Sequence, residues 1–146
     1  MLNFVDPRIP IYSTPETIKL LKRLNRNGDF LLPAAGQPKE YMRPLTELPI
    51  HQIIKIGEIE VEFYPVDHDA DGAVAFMIHT PDAFIVYTGD LRLHGHHPEW
   101  THAMMKAASG CDLLISEGVG VSFPDEKPSS KPWSEELLIK KLVKLV

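Results

Sequence analysis

The sequence predicts an α/β fold in which mainly antiparallel or mixed strands carry helices on their outer face. Two apolar runs, residues 73–80 and 83–88, flank the turn-forming pair Pro81-Asp82 and predict a β-hairpin. Residues 59–64 alternate apolar and mostly acidic side chains, which indicates a half-buried strand with its carboxylates in solvent. Helical periodicity in three other segments supplies the outer layer. With 146 residues and 44% hydrophobic composition, the chain is sufficient for one domain of ordinary size.

The first helix has clear start and stop signals. Ser13 or Thr14 caps it, Pro15 suits its first turn, and Asn27-Gly28 ends it. Its cationic face is interpreted as a solvated surface rather than a nucleic-acid patch.

Two further helices are predicted in the second half of the chain. One runs over residues 100–109 after Pro98, and the other is capped by Ser134. The last helix carries an apolar stripe without a visible partner, made of Leu138, Leu142 and Leu145.

The remaining strands are short. Residues 9–12 and 49–56 each predict one strand, and residues 30–49 are interpreted as an irregular connector. Residues 111–116 are apolar rather than alternating, which predicts a buried strand inside a layered sheet. Residues 119–132 contain several prolines and serines and predict a linker.

Composition narrows the function classes. The net charge of -5 argues against a phosphate-binding surface provided by this stretch alone. The single cysteine, Cys111, excludes an intrachain disulfide and suits a reducing cytoplasm, where we expect the protein to act. No signal-peptide pattern opens the sequence and no apolar run is long enough to span a bilayer, so we expect no membrane partner.

Two residues with metal-binding chemistry flank the predicted hairpin. His68 precedes its first strand, and Asp90 follows its second strand directly after Gly89. An antiparallel path returns the chain to the edge it left, so we expect both residues to face the same end of the sheet. An imidazole and a carboxylate that meet there are suitable ligands for zinc or a similar divalent ion.

Acidic residues surround His68. One of Asp67, Asp69 and Asp71 orients the imidazole, or all of them cap turns, and the sequence leaves both alternatives open.

The segment after Asp90 is predicted to form a loop over the site. Arg92 would pair with a phosphate or with a local carboxylate. His94, His96 and His97 either bind a metal among themselves or lie exposed, and exposure is the interpretation that we favour.

The stretch from Tyr64 to Gly95 resembles the third and fourth metal motifs of the metallo-β-lactamase-fold hydrolases. A single histidine, a hairpin and a Thr-Gly-Asp corner follow one another in that superfamily as they do here. The residues around His68 and Asp90 are most similar to those of the nucleic-acid-processing branch, which includes ribonuclease J and its β-CASP relatives. Residues 112–118 fit the strand that follows in that branch, with Glu117 at the acidic position of the first β-CASP motif; Val119 stands where the family often has threonine.

The resemblance implies part of an αββα sandwich and a metal-dependent hydrolysis, with phosphodiester bonds in RNA as the leading substrate. The complete family site holds two zinc ions, of which His68 would hold one while Asp90 bridges both. Such ions lower the pKa of a bridging water and stabilise developing charge. The resemblance implies that five further residues contact the metal ligands or face the substrate: Asp67, Asp71, Arg92, His94 and Glu117.

The main signature of the superfamily, His-x-His-x-Asp-His, is absent from this sequence. We therefore expect either an internal slice of a longer hydrolase or a short relative that has lost the site, inactive alone in both cases. Residues 1–122 would belong to the metallo-β-lactamase-like domain, and residues 123–146 would be a linker and first helix leading toward a β-CASP-type insertion. The expected partners are the missing N- and C-terminal portions and, for the complete parent, RNA; a homo-oligomer is left open.

Two alternatives stand beside the ribonuclease interpretation. Another branch of the superfamily acts on thioesters, lactones or small phosphoesters, and Glu117-Gly118 before a linker and helix weighs against it. A non-catalytic structural or partner-binding fragment is the other, and the absent signature keeps this alternative open. The choice between RNA and DNA, or between endo- and exonuclease action, is not made by the sequence.

Overall fold

The computed structural model describes residues 9–25, 44–118 and 134–144, in which a strand and a helix are followed by five successive strands, a helix, a strand and a last helix. The chain divides into two units, Met1–Pro49 and Ile50–Val146. Within the described ranges, no helix has the length and apolar character needed to cross a bilayer.

The first unit pairs two strands that are distant in sequence. Strand β1 (Ile11–Ser13) runs parallel to β2 (Leu45–Glu47), and helix α1 (Pro15–Asn25) follows β1 directly. Thr14 caps α1, because its hydroxyl lies 3.4 Å from the backbone nitrogen of Thr17. The interpretation of residues 30–49 as wholly irregular is wrong at β2, whose pairing partner lies more than thirty residues upstream. The predicted helix end at Asn27-Gly28 lies outside the described residues.

The second unit is built on one five-stranded sheet. Its strands lie in sequence order, with antiparallel pairing up to β6 and a parallel pair between β6 and β7. The strands are β3 (Ile53–Ile56), β4 (Ile59–Pro65), β5 (Val74–His79), β6 (Phe84–Tyr87) and β7 (Leu113–Ile115). The predicted hairpin is the β5–β6 pair, with His79 opposite Phe84 beside the turn. The predicted α/β class with a mainly antiparallel sheet is confirmed.

Helix α2 (Pro98–Ala107) covers one face of this sheet. Its Met104 is 1% exposed and joins the core cluster of the sheet, whose other members are Val66, Ala75, Met77 and Val86. Gly110 ends the turn that follows α2, with φ at +82°, a left-handed conformation that glycine adopts without strain.

Helix α3 (Glu135–Val143) begins where the sequence predicts. The Ser134 hydroxyl accepts a hydrogen bond from the backbone N–H of Leu137 at 3.2 Å. Its apolar side chains are exposed, Leu138 by 43% and Leu142 by 52%. The predicted stripe is therefore uncovered by the parts of the chain that are described; Leu145 lies beyond them.

Strand β7 corrects one prediction. The apolar run at residues 111–116 does form a strand, but Leu113, Leu114 and Ile115 are 49%, 55% and 45% exposed rather than buried. The strand lies at the edge of the sheet beside β6, and no other described element contacts it closely enough to bury it. The linker predicted over residues 119–132 lies outside the described ranges.

Candidate functional site

The segments that carry His68 and Asp90 run side by side at one end of the five-stranded sheet. The backbone N–H of Arg92 donates to the carbonyl of Asp67 at 2.9 Å, which joins the loop after β6 to the loop after β4. The backbone N–H of Val66 donates to the carbonyl of Ala73 at 3.3 Å, which joins the two ends of the loop between β4 and β5. The structure thus brings the two backbone corners together, as the antiparallel path predicts. The metal-binding role of the two side chains stays a prediction.

The imidazole of His68 has two neighbours on the same nitrogen. Its Nδ1 lies 3.0 Å from the backbone nitrogen of Ala70 and 2.8 Å from Oδ1 of Asp69. The two contacts need different protonation states, since Nδ1 accepts from the amide only when unprotonated and meets the carboxylate favourably only when protonated. A neutral ring with its proton on Nδ1 leaves Nε2 unprotonated, which is the form that binds a metal. Of Asp67, Asp69 and Asp71, Asp69 is the acid in contact with the ring, whereas the hydrogen bond at Nδ1 comes from the Ala70 N–H; the orienting role of an acid stays a prediction.

Asp90 is exposed at a sharp corner. Gly89 has φ at +59°, and a side-chain carbon added to it would lie 3.1 Å from the carbonyl oxygen of Val74. Among the described residues, the Asp90 carboxylate has no hydrogen bond or ion pair, so its oxygens are available to a ligand.

Glu117 fixes the backbone on the far side of that corner. Its Oε1 accepts a hydrogen bond from the backbone N–H of Leu91 at 2.7 Å. The parallel pair reinforces this contact, because the N–H of Thr88 donates to the carbonyl of Ile115 at 3.0 Å. Glu117 therefore acts on the position of Asp90 through the main chain.

A zinc ion requires more donors than these corners supply. No group of three or more His, Cys, Asp or Glu side chains suited to a metal occurs within residues 9–25, 44–118 and 134–144. Catalytic zinc takes three protein ligands and structural zinc four. His68 and Asp90 have the right donor chemistry for part of a zinc site, but the described residues do not complete one.

Asp67 is buried beneath the loop that follows Asp90. It is 2% exposed, and its two oxygens accept hydrogen bonds from the backbone N–H groups of Gly95 at 2.7 Å and His97 at 3.1 Å. Gly95 has no room for a side chain, because an added carbon would coincide with the Asp67 carboxylate and the Arg92 guanidinium. Asp67 thus shapes the loop of residues 92–97, whereas Asp71 is exposed without a hydrogen bond or ion pair in the described part of the chain.

Thr101 locks the same loop from α2, and the sequence interpretation missed it. Its side chain is fully buried; its hydroxyl accepts from the backbone N–H of Asp67 at 2.9 Å and donates to the carbonyl of Arg92 at 3.0 Å. A polar residue on the apolar face of a predicted helix was the available signal, because a buried hydroxyl needs partners.

Arg92 pairs with a local carboxylate, one of the two alternatives that the sequence left open. Its Nη1 lies 2.8 Å from Oε1 of Glu135 at the start of α3. His96 approaches the other oxygen, with Nε2 at 3.0 Å from Oε2. The carbonyl of His94 accepts from the backbone N–H of Glu135 at 3.2 Å, and the His94 side chain is exposed.

The three histidines of this loop have separate environments. His97 stacks on Trp100, with ring centroids 4.0 Å apart, and its Nδ1 lies 2.9 Å from Oε1 of Glu99. This hydrogen bond lowers the pKa of the Glu99 carboxyl below its ordinary value. All three side chains are exposed, as the favoured interpretation expects, and whether they bind a metal stays a prediction.

Known proteins similar to this chain include two ribonucleases J. The chain is 27% identical over 129 residues to ribonuclease J from Pyrococcus abyssi (strain GE5 / Orsay), covering 84% of this chain and 27% of that protein. It is 25% identical over 128 residues to ribonuclease J from Mycolicibacterium smegmatis (strain ATCC 700084 / mc(2)155), and the match covers 84% of this chain and 21% of that protein. The predicted relationship to ribonuclease J is confirmed by these two similarities. The chain spans about a quarter of the length of these curated relatives.

A solved structure is similar over nearly the whole chain. It is a protein of unknown function from Enterococcus faecalis V583, 49% identical with a TM-score of 0.86, and the match covers 99% of this chain and 35% of that one. No family model matches the sequence.

Proposed function

We propose that this chain is the part of a metal-dependent, ribonuclease J-like hydrolase that supplies two ligands of its zinc site, His68 and Asp90. The observation that carries the proposal is the hydrogen bond from the Arg92 N–H to the Asp67 carbonyl, which holds the two corners side by side. The similarity to two ribonucleases J supports the same conclusion from the sequence.

Each corner has a distinct task in this proposal. His68 would offer Nε2 to a metal with its proton on Nδ1, beside the Asp69 carboxylate, and Gly89 with Glu117 fixes the main chain that carries Asp90. A bound zinc pair would supply an activated water and stabilise developing negative charge. The remaining ligands would come from the longer protein, so the chain alone is inactive as an enzyme.

The proposed substrate is a phosphodiester bond in RNA, in line with the name of the curated relatives. Residues 123–146, including α3, would lead toward a β-CASP-type insertion, and the natural partners would be the missing portions of the same protein. We place the parent protein in the cytoplasm.

Zinc binding tests the proposal on the chain itself. The zinc affinity of the 146-residue chain is measured by competition with a chelating dye, for the native sequence and for His68→Ala, Asp90→Ala and His102→Ala. His102 is an exposed histidine on α2 and serves as the matched control. We expect His68→Ala and Asp90→Ala each to weaken zinc binding about tenfold or more, since each removes one of few donors, and His102→Ala to change nothing. Equal affinities in all four proteins would overturn the proposal.

A non-catalytic, partner-binding role is the second candidate. The exposed apolar side chains of α3 favour it, as does the lack of a three-donor cluster among the described residues. The same titration separates the two, because this candidate predicts that neither His68 nor Asp90 affects zinc affinity.

A further inference from the structure

The carboxylate of Glu135 lies in a cradle made by one short loop. Arg92 Nη1 contacts one oxygen at 2.8 Å and His96 Nε2 contacts the other at 3.0 Å. Both donors belong to residues 92–96, the loop after Asp90, while Glu135 reaches them from the first turn of α3. Two nitrogen donors that converge on two oxygens form the arrangement that binds an oxyanion.

Glu135 fits this cradle incompletely. Arg92 Nε and Glu135 Oε2 are both buried and lack a well-aligned hydrogen bond among the described residues, although His96 lies within contact distance of Oε2. The nearest carboxylate oxygen to Arg92 Nε, Oδ1 of Asp67, is 3.8 Å away and beyond hydrogen-bond range. A buried donor without an acceptor is unfavourable, and a phosphate offers more oxygens at wider angles than a carboxylate does.

The loop would keep its shape without Glu135. Asp67 accepts from the N–H groups of Gly95 and His97, and Thr101 accepts from the Asp67 N–H and donates to the Arg92 carbonyl. All of these contacts involve the main chain of the loop or its anchors. The Glu135 N–H also donates to the His94 carbonyl, but this contact uses no side-chain atom of Glu135. The main chain that carries both donors is therefore preorganised, which reduces the entropy cost of binding an anion.

We propose that Arg92 and His96 bind a phosphate group, and that Glu135 occupies their site as an internal carboxylate until the phosphate displaces it. The site adjoins the candidate metal corner. Arg92 is two positions after Asp90, and its backbone N–H donates to the carbonyl of Asp67, the residue before His68. The inference deepens the proposed phosphodiester hydrolysis and rests on it for its biological meaning. Its physical content, an anion site in exchange with Glu135, stands on these contacts alone.

The test measures binding of inorganic phosphate to the 146-residue chain by calorimetry in the presence of a metal chelator. The variants are Glu135→Gln and the charge-matched Glu136→Gln, whose native side chain pairs with Lys140 instead. If Glu135 occupies the cradle about nine-tenths of the time, Glu135→Gln should tighten phosphate binding about tenfold. Glu136→Gln should leave the affinity unchanged. His96→Ala, at a side chain 56% exposed and safe for folding, should reverse most of the gain when combined with Glu135→Gln.

A second pair of probes identifies the source of the phosphate. A short single-stranded RNA is compared with and without its 5′ phosphate, so a terminal group is separated from the backbone phosphates. Equal gains from Glu135→Gln and Glu136→Gln would reveal a general charge effect and overturn the inference, as would a gain that His96→Ala leaves intact. Because a chelator is present, these results do not depend on zinc, so failure here leaves the outcome of the His68 and Asp90 titration untouched.

Discussion

Asp67→Asn tests whether a buried carboxylate holds the loop of residues 92–97 in place. The native side chain is 2% exposed and accepts two hydrogen bonds from main-chain N–H groups, at 2.7 and 3.1 Å. Asparagine keeps the volume but turns one oxygen into an NH₂ group that faces an N–H donor. One hydrogen bond to a charged acceptor is lost, worth about 1.5–3 kcal/mol, and a buried donor is left without an acceptor, at about 1–3 kcal/mol. Allowing for relaxation of the loop, we expect a loss of about 2–4 kcal/mol in the free energy of unfolding.

Urea denaturation followed by circular dichroism measures this loss, and amide hydrogen exchange locates it. The exchange of the Gly95 and His97 amides should accelerate most, because their acceptor is the group that changes. Asp69→Asn is the matched control: the same substitution two positions away, at a side chain 75% exposed, should stay within about 0.5 kcal/mol of the native chain. If Asp67→Asn proves as stable as Asp69→Asn, the argument for a carboxylate anchor is refuted.

Three other predictions follow from the same contacts. Gly95→Ala should destabilise the chain by about 1–3 kcal/mol or more in urea denaturation, because the added methyl overlaps the Asp67 carboxylate; Gly57→Ala, with open space around a φ of +62°, should cost only the backbone strain of about 1 kcal/mol. Thr101→Val should cost about 1–3 kcal/mol in the same assay, since it leaves a buried N–H and a carbonyl without their shared hydroxyl. The pKa of Glu136, lowered by its hydrogen bond with Lys140, should rise toward the ordinary value in Lys140→Met when followed by NMR titration. The native pair stabilises the fold above the unfolded-state pKa of this carboxyl and loses that effect as pH falls through the folded-state pKa, so an unchanged titration would contradict the contact.

The hairpin and its two corners could be predicted because their signals are local. Alternating or continuous apolar runs, a Pro-Asp turn and a Gly-Asp corner lie within about thirty residues, and antiparallel pairing follows from that proximity. Strand β2 could not be predicted in this way, because a three-residue strand is defined by its pairing with the distant strand β1 rather than by its own composition. The prediction that β7 is buried was wrong for a related reason. An apolar run indicates that a strand could be buried, whereas its actual burial depends on its position in the sheet and on the elements that cover it.

The site shows the same division between local and long-range signals. His68 and Asp90 have residue types and positions that indicate metal binding, and this remains a prediction. The anchoring roles of Asp67 and Thr101 depend on a loop that closes over thirty residues of chain, which no spacing rule describes. Arg92 was assigned an anionic partner by its chemistry, but only the docking of α3 shows that Glu135 is that partner.

A cobalt titration of the isotope-labelled chain, followed by NMR, tests the central claim most directly, because Co²⁺ substitutes for zinc and even weak binding broadens nearby amides. We predict that the amides of residues 68–70 and 89–91 broaden together at the lowest metal concentrations, and that Asp90→Ala removes the broadening from both segments. Broadening confined to the exposed histidines at residues 94–97, with no response near His68 and Asp90, would contradict the assignment of a shared metal corner.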